Sequence, residues 1–251
     1  MAKLESVYGL HAVHSLLKSS PYRVVELKVL KDRSDRRLQQ ILSLAEQNGI
    51  SVQSLKRASL DKIADGNHQG VVAMATPGES YTESYLDTLL ATASAENTNL
   101  LFLVLDGVTD PHNLGACLRS AEAAGAAAVI APKDNSASLN TVARKVSSGA
   151  SDSIPYITVT NLSRSLKTMQ EQGVWVVGAA GEAENSLYSL DLTGAIALVM
   201  GAEGKGLRRL TRETCDHLAK LPMAGEVSSL NVSVAAGVFL YEAVRQRVKG
   251  R

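Results

Sequence analysis

The chain has little cysteine, no long apolar run and almost no net charge. Only two cysteines occur among 251 residues, Cys117 and Cys215. They have no ligand spacing between them, so no disulfide framework and no metal site are expected, and a reducing cytoplasm fits. No stretch is apolar for long enough to cross a bilayer, so no membrane partner is expected. The first residues are charged and no apolar core follows, which excludes a recognisable signal peptide. Internal repeats and low-complexity tracts are also lacking.

A net charge of +1 does not announce a nucleic-acid binder. The distribution of charge says more. Residues 1–77 hold 11 Lys/Arg against 7 Asp/Glu, or +4. Residues 78–97 hold four acids and no base, and residues 98–251 hold 15 bases against 14 acids. The excess sits at the N-terminal end, where Lys31, Arg33, Arg36 and Arg37 are grouped. A local basic face can bind phosphate despite a near-neutral total, although a solvated surface would have the same composition.

The expected organisation is two α/β domains and a linker. Thr76-Pro77-Gly78 breaks structure, and acidic, small residues follow it around one short helix at residues 86–90. The domains are therefore residues 1–77, a linker at 78–98, and residues 99–251. In the first, residues 9–18 and 34–47 have helical spacing, with Ser34 as candidate cap. Residues 24–30, 51–55 and 70–75 are strand-like. In the second, apolar runs at residues 100–105, 126–131, 154–159, 174–179 and 195–200 alternate with helices at 114–124 and 232–248. Continuous apolar strands separated by helices predict a parallel sheet covered on both faces.

Three segments carry candidate chemistry. The strand ending at Met200 stops at Gly201-Ala202-Glu203-Gly204-Lys205-Gly206. Such glycines let backbone approach a ligand, and loop tips beyond the carboxyl ends of strands are where open α/β sheets bind ligands. The loop is not the dinucleotide fingerprint. Nor is it a P-loop, because glycine follows Lys205. A second segment, Leu221-Pro222-Met223 with Ser228-Ser229-Leu230-Asn231, is taken as an apolar strand, a glycine loop and a helix start. The third is Asp106-Gly107 followed by Pro111-His112-Asn113-Leu114-Gly115 and Arg119. By local sequence, Asn113 and Asn231 are plausible helix caps. Arg119 sits on a helix among small apolar residues, either snorkelling to solvent or contacting a phosphate or hydroxyl beside a pocket. His11 and His14 fit no zinc pattern, His112 is structural, and Cys117 faces the core.

In order and spacing these segments resemble the three motifs of the SpoU/TrmH branch of the SPOUT RNA methyltransferases. The resemblance runs from about residue 100 to 248, and the N-terminal stretch resembles the small ribosomal-protein-like substrate domain of one subgroup. It implies a catalytic α/β domain with a deep C-terminal trefoil knot, a topology that general folding rules disfavour. It implies S-adenosylmethionine held by backbone around Gly201, Leu221 and Leu230, and polar site positions at Asn113, Arg119, Glu203, Ser229 and Asn231. It also implies a homodimer. The implied reaction moves a methyl group to a ribose 2′-hydroxyl, within this subgroup that of a guanosine in the peptidyl-transferase loop of 23S rRNA or its assembly intermediate. Another rRNA or tRNA site, or a non-catalytic RNA-binding assembly factor, stays open. So does the role of Arg119, as proton acceptor or as a cation that stabilises the developing alkoxide.

The basic cluster gives a first prediction. Removing two of the charges at Lys31, Arg33, Arg36 and Arg37 should lower the log–log salt slope of RNA binding by roughly 1.4–1.8. Filter binding across a potassium chloride series measures it, and an unchanged slope marks a solvated face.

Overall fold

The computed structural model describes residues 4–64, 66–78 and 81–249. The expected linker residues Glu79 and Ser80 lie outside them. The chain divides into two compact units. The first comprises the described residues up to 78 together with residues 144–153, and the second comprises the rest.

The first unit is a four-stranded sheet with helices on both faces. Its strands are β1 (Glu5–Tyr8), β2 (Val24–Leu30), β3 (Ser51–Leu55) and β4 (Val71–Ala75), in the order β1-β4-β2-β3. Only β2 and β3 run parallel. Alternation along the strands sorts the side chains. Leu27, Val29, Val71 and Ala73 meet Val13, Leu16, Leu38 and Ile41 from α1 (Leu10–Ser19) and α2 (Arg36–Gln47). Tyr8 and Val72 meet Leu60 of α3 (Arg57–Asp61) on the other face. The cap of α2 is Asp35 rather than Ser34: its carboxylate accepts from the backbone N–H of Arg37 and Leu38. A carboxylate does this better at a helix N-terminus than a hydroxyl one residue too early.

Residues 144–153 join this unit through a buried ion-pair cluster. Arg23, 5% exposed, donates to Asp152 at 3.0 Å and to Glu5 at 2.7 Å, and Arg144 reaches the same Asp152 oxygen at 3.4 Å.

The second unit is a seven-stranded, wholly parallel sheet. Its strands are β5 (Leu101–Asp106), β6 (Ala128–Pro132), β7 (Tyr156–Val159), β8 (Trp175–Ala179), β9 (Asn185–Ser186), β10 (Ile196–Gly201) and β11 (His217–Lys220). They lie in the order β7-β6-β5-β10-β8-β11-β9. The helices are α4 (Glu83–Glu96), α5 (Pro111–Ala123), α6 (Thr141–Val146, which leads into the segment held by the first unit), α7 (Leu162–Glu171), α8 (Arg209–Thr214) and α9 (Val232–Lys249). Each central strand is apolar on both sides. Leu103, Leu105, Leu198 and Met200 pack with Leu114, Leu118, Phe239 and Leu240 of α5 and α9. Phe102, Val104, Ala197 and Val199 pack with Leu86, Leu90, Leu166 and Met169 of α4 and α7. Both faces are therefore covered, as the continuous apolar runs predict.

Three expectations need correction. The short helix expected at residues 86–90 spans Glu83–Glu96, and Leu86 and Leu90 are buried in the second core. Helix α5 starts at Pro111 and not at 114, because proline suits a first helical turn and Asp110 caps it through His112 N–H at 2.9 Å. Asn113 is therefore inside the helix and free of capping duty. The strand expected around Leu221 ends earlier, at Lys220.

Arg247, on the last turn of α9, fastens this unit. Its guanidinium donates to four backbone carbonyls, those of Asn99, Leu100, Leu192 and Gly194, which precede β5 and β10.

Phe102 is fully buried at the centre of the second core. Phe102→Ala should cost about 3–5 kcal/mol. Urea unfolding followed by Trp175 fluorescence, the only tryptophan, reports this unit alone.

Candidate active site

The site begins with a strand register. β10 lies parallel against β5 with Met200 opposite Leu105 and Gly201 opposite Asp106. The loops after both strands therefore leave the same sheet edge side by side.

The loop after β10 folds back on itself. Ala202 and Gly206 exchange two backbone hydrogen bonds, at 3.0 and 2.8 Å, with Gly204 and Gly206 at φ of 74° and 66°. This brings Gly206 and Leu207 onto Gly201, where an added Cβ would lie 2.2 Å from the Gly206 carbonyl carbon. What lies against the α-carbon of Gly201 is thus the chain's own backbone.

Two clefts flank this loop. The first has a volume of about 260 Å³ and is lined by Gly181, Met200, Gly201, Glu203, Leu221, Met223, Ser229, Leu230 and Phe239, among others. A Cβ at Gly181, Gly204 or Gly206 would meet nothing within 4 Å, so backbone stands open to this cleft. Open backbone over an apolar floor fits an adenosine-bearing cofactor such as S-adenosylmethionine. The second cleft, of about 490 Å³, carries the charged and polar side chains of Asp106, Thr109, Asp110, Asn113, Asn135, Glu203, Lys205 and Arg208 among its lining. Ala202, Glu203, Gly206 and Val232 line both, so the glycine loop is a shared wall.

A chain of amides joins the three sequence segments at that wall. Asn231 Oδ1 accepts from the N–H of Ser233 at 2.9 Å and from its hydroxyl at 2.6 Å, capping α9. That fixes the orientation of the Asn231 amide, whose Nδ2 donates to Asn113 Oδ1 at 3.0 Å. Asn113, 8% exposed, then has its own Nδ2 directed to Glu203 Oε2 at 3.4 Å. Capping and site roles coincide in Asn231, but Asn113 serves the site alone.

Below them lies Asp106, with no exposed surface. Its carboxylate accepts from the Arg208 backbone N–H at 2.9 Å and from Arg208 Nε at 2.5 Å. Asp106 was visible as a strand-ending acid. Arg208 carried no sequence signal, because its partner Asp106 lies 102 positions away in the chain.

The other expected residues separate. Gly201, Leu221, Ser229 and Leu230 line the first cleft, and Glu203 lines both. Arg119 lines neither. It is exposed on α5, with no hydrogen bond or ion pair among the described residues. In the first unit, Lys31, Arg36 and Arg37 are exposed, whereas Arg33 is committed to Asp35 and to the Gln69 carbonyl. Burial pushes the Cys117 and Cys215 thiols up to about 12, so neither is a nucleophile at neutral pH. Among the described residues no cluster of three metal-ligating side chains occurs, and no helix is long and apolar enough to cross a membrane.

A glycine loop thus stands between two clefts at the carboxyl ends of a parallel sheet, and comparison with known proteins identifies the family. Residues 100–241 match the model of the SpoU rRNA Methylase family, and residues 6–81 match that of RNA 2′-O ribose methyltransferase substrate binding. The chain belongs to the SpoU rRNA methylase family. It is 56% identical to the 23S rRNA (guanosine-2′-O-)-methyltransferase RlmB of Pseudomonas putida, over 98% of both chains. The RlmB of Haemophilus influenzae is 58% identical over 97% of this chain and 98% of its own. Among solved structures, the SpoU methyltransferase AviRb of Streptomyces viridochromogenes, in complex with AdoMet, superposes with a TM-score of 0.78 at 25% identity. That match covers 98% of this chain and 91% of AviRb.

Two glycine variants separate the roles of cleft and loop. Gly201→Ala should lose thermal stability and, because the displaced loop lines the first cleft, S-adenosylmethionine affinity too, by about tenfold or ~1.4 kcal/mol. Gly181→Ala, where space is open, should lose affinity with the melting temperature unchanged. Calorimetry and thermal melts measure both.

Proposed function

We propose that this chain transfers a methyl group from S-adenosylmethionine to the ribose 2′-hydroxyl of a guanosine in 23S rRNA, in the cytoplasm. The observation that carries the reading is the amide chain from Asn231 through Asn113 to Glu203. It ties all three motif segments to the wall between the two clefts. The full-length likeness to RlmB and the match of the N-terminal residues to a substrate-binding model supply the RNA.

S-adenosylmethionine supplies an electrophilic methyl group already activated by positive charge. Gly181, Gly201, Leu221 and Leu230 would hold it in the first cleft, with Ser229 at the rim. The ribose belongs in the second. Asn231 orients Asn113, and Asn113 holds the Glu203 carboxylate at the shared wall, where it can accept from a ribose hydroxyl. These are fixed dipoles, set before substrate arrives, and such groups need no reorganisation during attack.

The 2′-hydroxyl must lose its proton, and Arg119 is the candidate cation or base. It stands outside both clefts of its own chain, which supports a homodimer in which a second copy presents it. Exposed Val234 and Tyr241 on α9, the helix packed against α5, suit such a contact. In this reading the first unit grips RNA and the second performs the transfer.

Methylation of transcribed 23S rRNA with labelled cofactor, mapped to the nucleotide, tests the activity. Absence of 2′-O-methylguanosine overturns it. Arg119→Ala should abolish transfer with cofactor affinity intact. Arg119→Lys discriminates the two roles. Lysine keeps the charge but loses the planar fork and deprotonates more readily. If Arg119 takes the proton, single-turnover rates of the lysine variant rise with pH toward about 10. If it only positions charge, lysine is nearly as poor as alanine at every pH. Light scattering should give twice the 26.6 kDa chain mass.

A further inference from the structure

The second cleft holds a feature that methyl transfer itself does not use. Three arginines follow the glycine loop. Arg209 is paired with Glu213 at 2.9 Å, and Arg212 is paired with Glu182. Arg208 differs. Its Nε and backbone N–H are fixed on the buried Asp106 carboxylate, yet its side chain is 49% exposed. Its two terminal nitrogens have no partner among the described residues. Lys205, on the same cleft, also has no ion pair among them.

We propose that Arg208, with Lys205 beside it, binds a backbone phosphate of the RNA strand that enters the second cleft, and that Asp106 is its positioning residue. The clamp on Nε and on the backbone N–H holds one edge of the guanidinium. The other edge presents Nη1 and Nη2, the planar pair of donors that matches two phosphate oxygens. Fixing the side chain beforehand removes the rotamer entropy that a free arginine loses on binding. Each carboxylate of the cleft already accepts a hydrogen bond: Asp106 from Arg208, Asp110 from the His112 N–H at the start of α5, and Glu203 from the Asn113 amide. The Nη1 and Nη2 groups of Arg208 and the Lys205 ammonium are the donors left open to a phosphate among the described residues. An anion held there fixes the strand next to the ribose, so Arg208 would set register as well as affinity.

The proposal rests on the second cleft being the RNA side of the site, and the test separates the two ideas. The probe is transcribed 23S rRNA, bound across a potassium chloride series without turnover. Arg208→Ala should weaken binding about tenfold and reduce the log–log salt slope by roughly 0.7–0.9, one phosphate contact. Alanine also strands the buried Asp106 charge, so the deciding variant is Arg208→Ala with Asp106→Asn. The asparagine can still accept the backbone N–H of residue 208 and carries no charge. If Arg208 binds phosphate, the double variant stays weak and shallow in salt slope, with S-adenosylmethionine affinity like that of wild type. If Arg208 only neutralises Asp106, the double variant recovers RNA affinity and slope, and the proposal is wrong. Collapse of cofactor affinity in the double variant overturns it too. A wild type that binds 23S rRNA but transfers no methyl group would remove the proposed activity, while the salt slopes would still decide the role of Arg208.

Discussion

The site depends on one pairing, β10 laid parallel beside β5 with Gly201 opposite Asp106. The strands are about ninety residues apart in the chain, and their side chains alternate into two different cores. Shifting either strand by one residue would exchange the side chains packed in the two cores and take Gly201 away from Asp106. The register in turn places Asp106 under the glycine loop and lets the residue that follows that loop, Arg208, return to it. Without this pairing, neither cleft has a wall.

The wall is built from neutral dipoles where charges would be costly. Asn113 is buried, and an ionised group there would need full compensation. Two amides in series transmit orientation from a helix cap at Asn231 to a carboxylate at Glu203 with every donor aimed. Asp106, a carboxylate with no exposed surface, meets the same requirement with one backbone and one side-chain donor from Arg208. The first cleft uses backbone for the same reason, since main-chain groups are polar without carrying net charge. Ala202, Glu203, Gly206 and Val232 line both clefts, so one loop serves as the wall of each.

Much of this was legible in the residues. Apolar runs gave the parallel sheet, and the three segments gave most of the cleft linings. What failed was local competition between neighbours of similar chemistry. Ser34 and Asp35 both suit a cap, as do Asp110 and Asn113, and the stronger acceptor at the right offset won each time. The helix at Glu83–Glu96 was hidden by its small and acidic residues, because its stability comes from Leu86 and Leu90 packing at long range. The capture of residues 144–153 by the first unit rests on Arg23 meeting Asp152 across 129 positions, which no local window can show. Arg119 stood out in the sequence by its motif, yet the structure leaves it apart from both clefts.

Arg247 bears on how the molecule is made. A chain is synthesised from its N-terminus, and early domains ordinarily fold first. Here the clasp on the carbonyls before β5 and β10 is formed by Arg247, which is synthesised after both strands. Until β10 is made, β5 can pair with β6 but its other edge is bare, and an unpaired apolar edge invites wrong partners. The nascent polypeptide therefore carries an open seam through the middle of its larger sheet until β10 emerges, and the clasp that holds both strands follows only with α9.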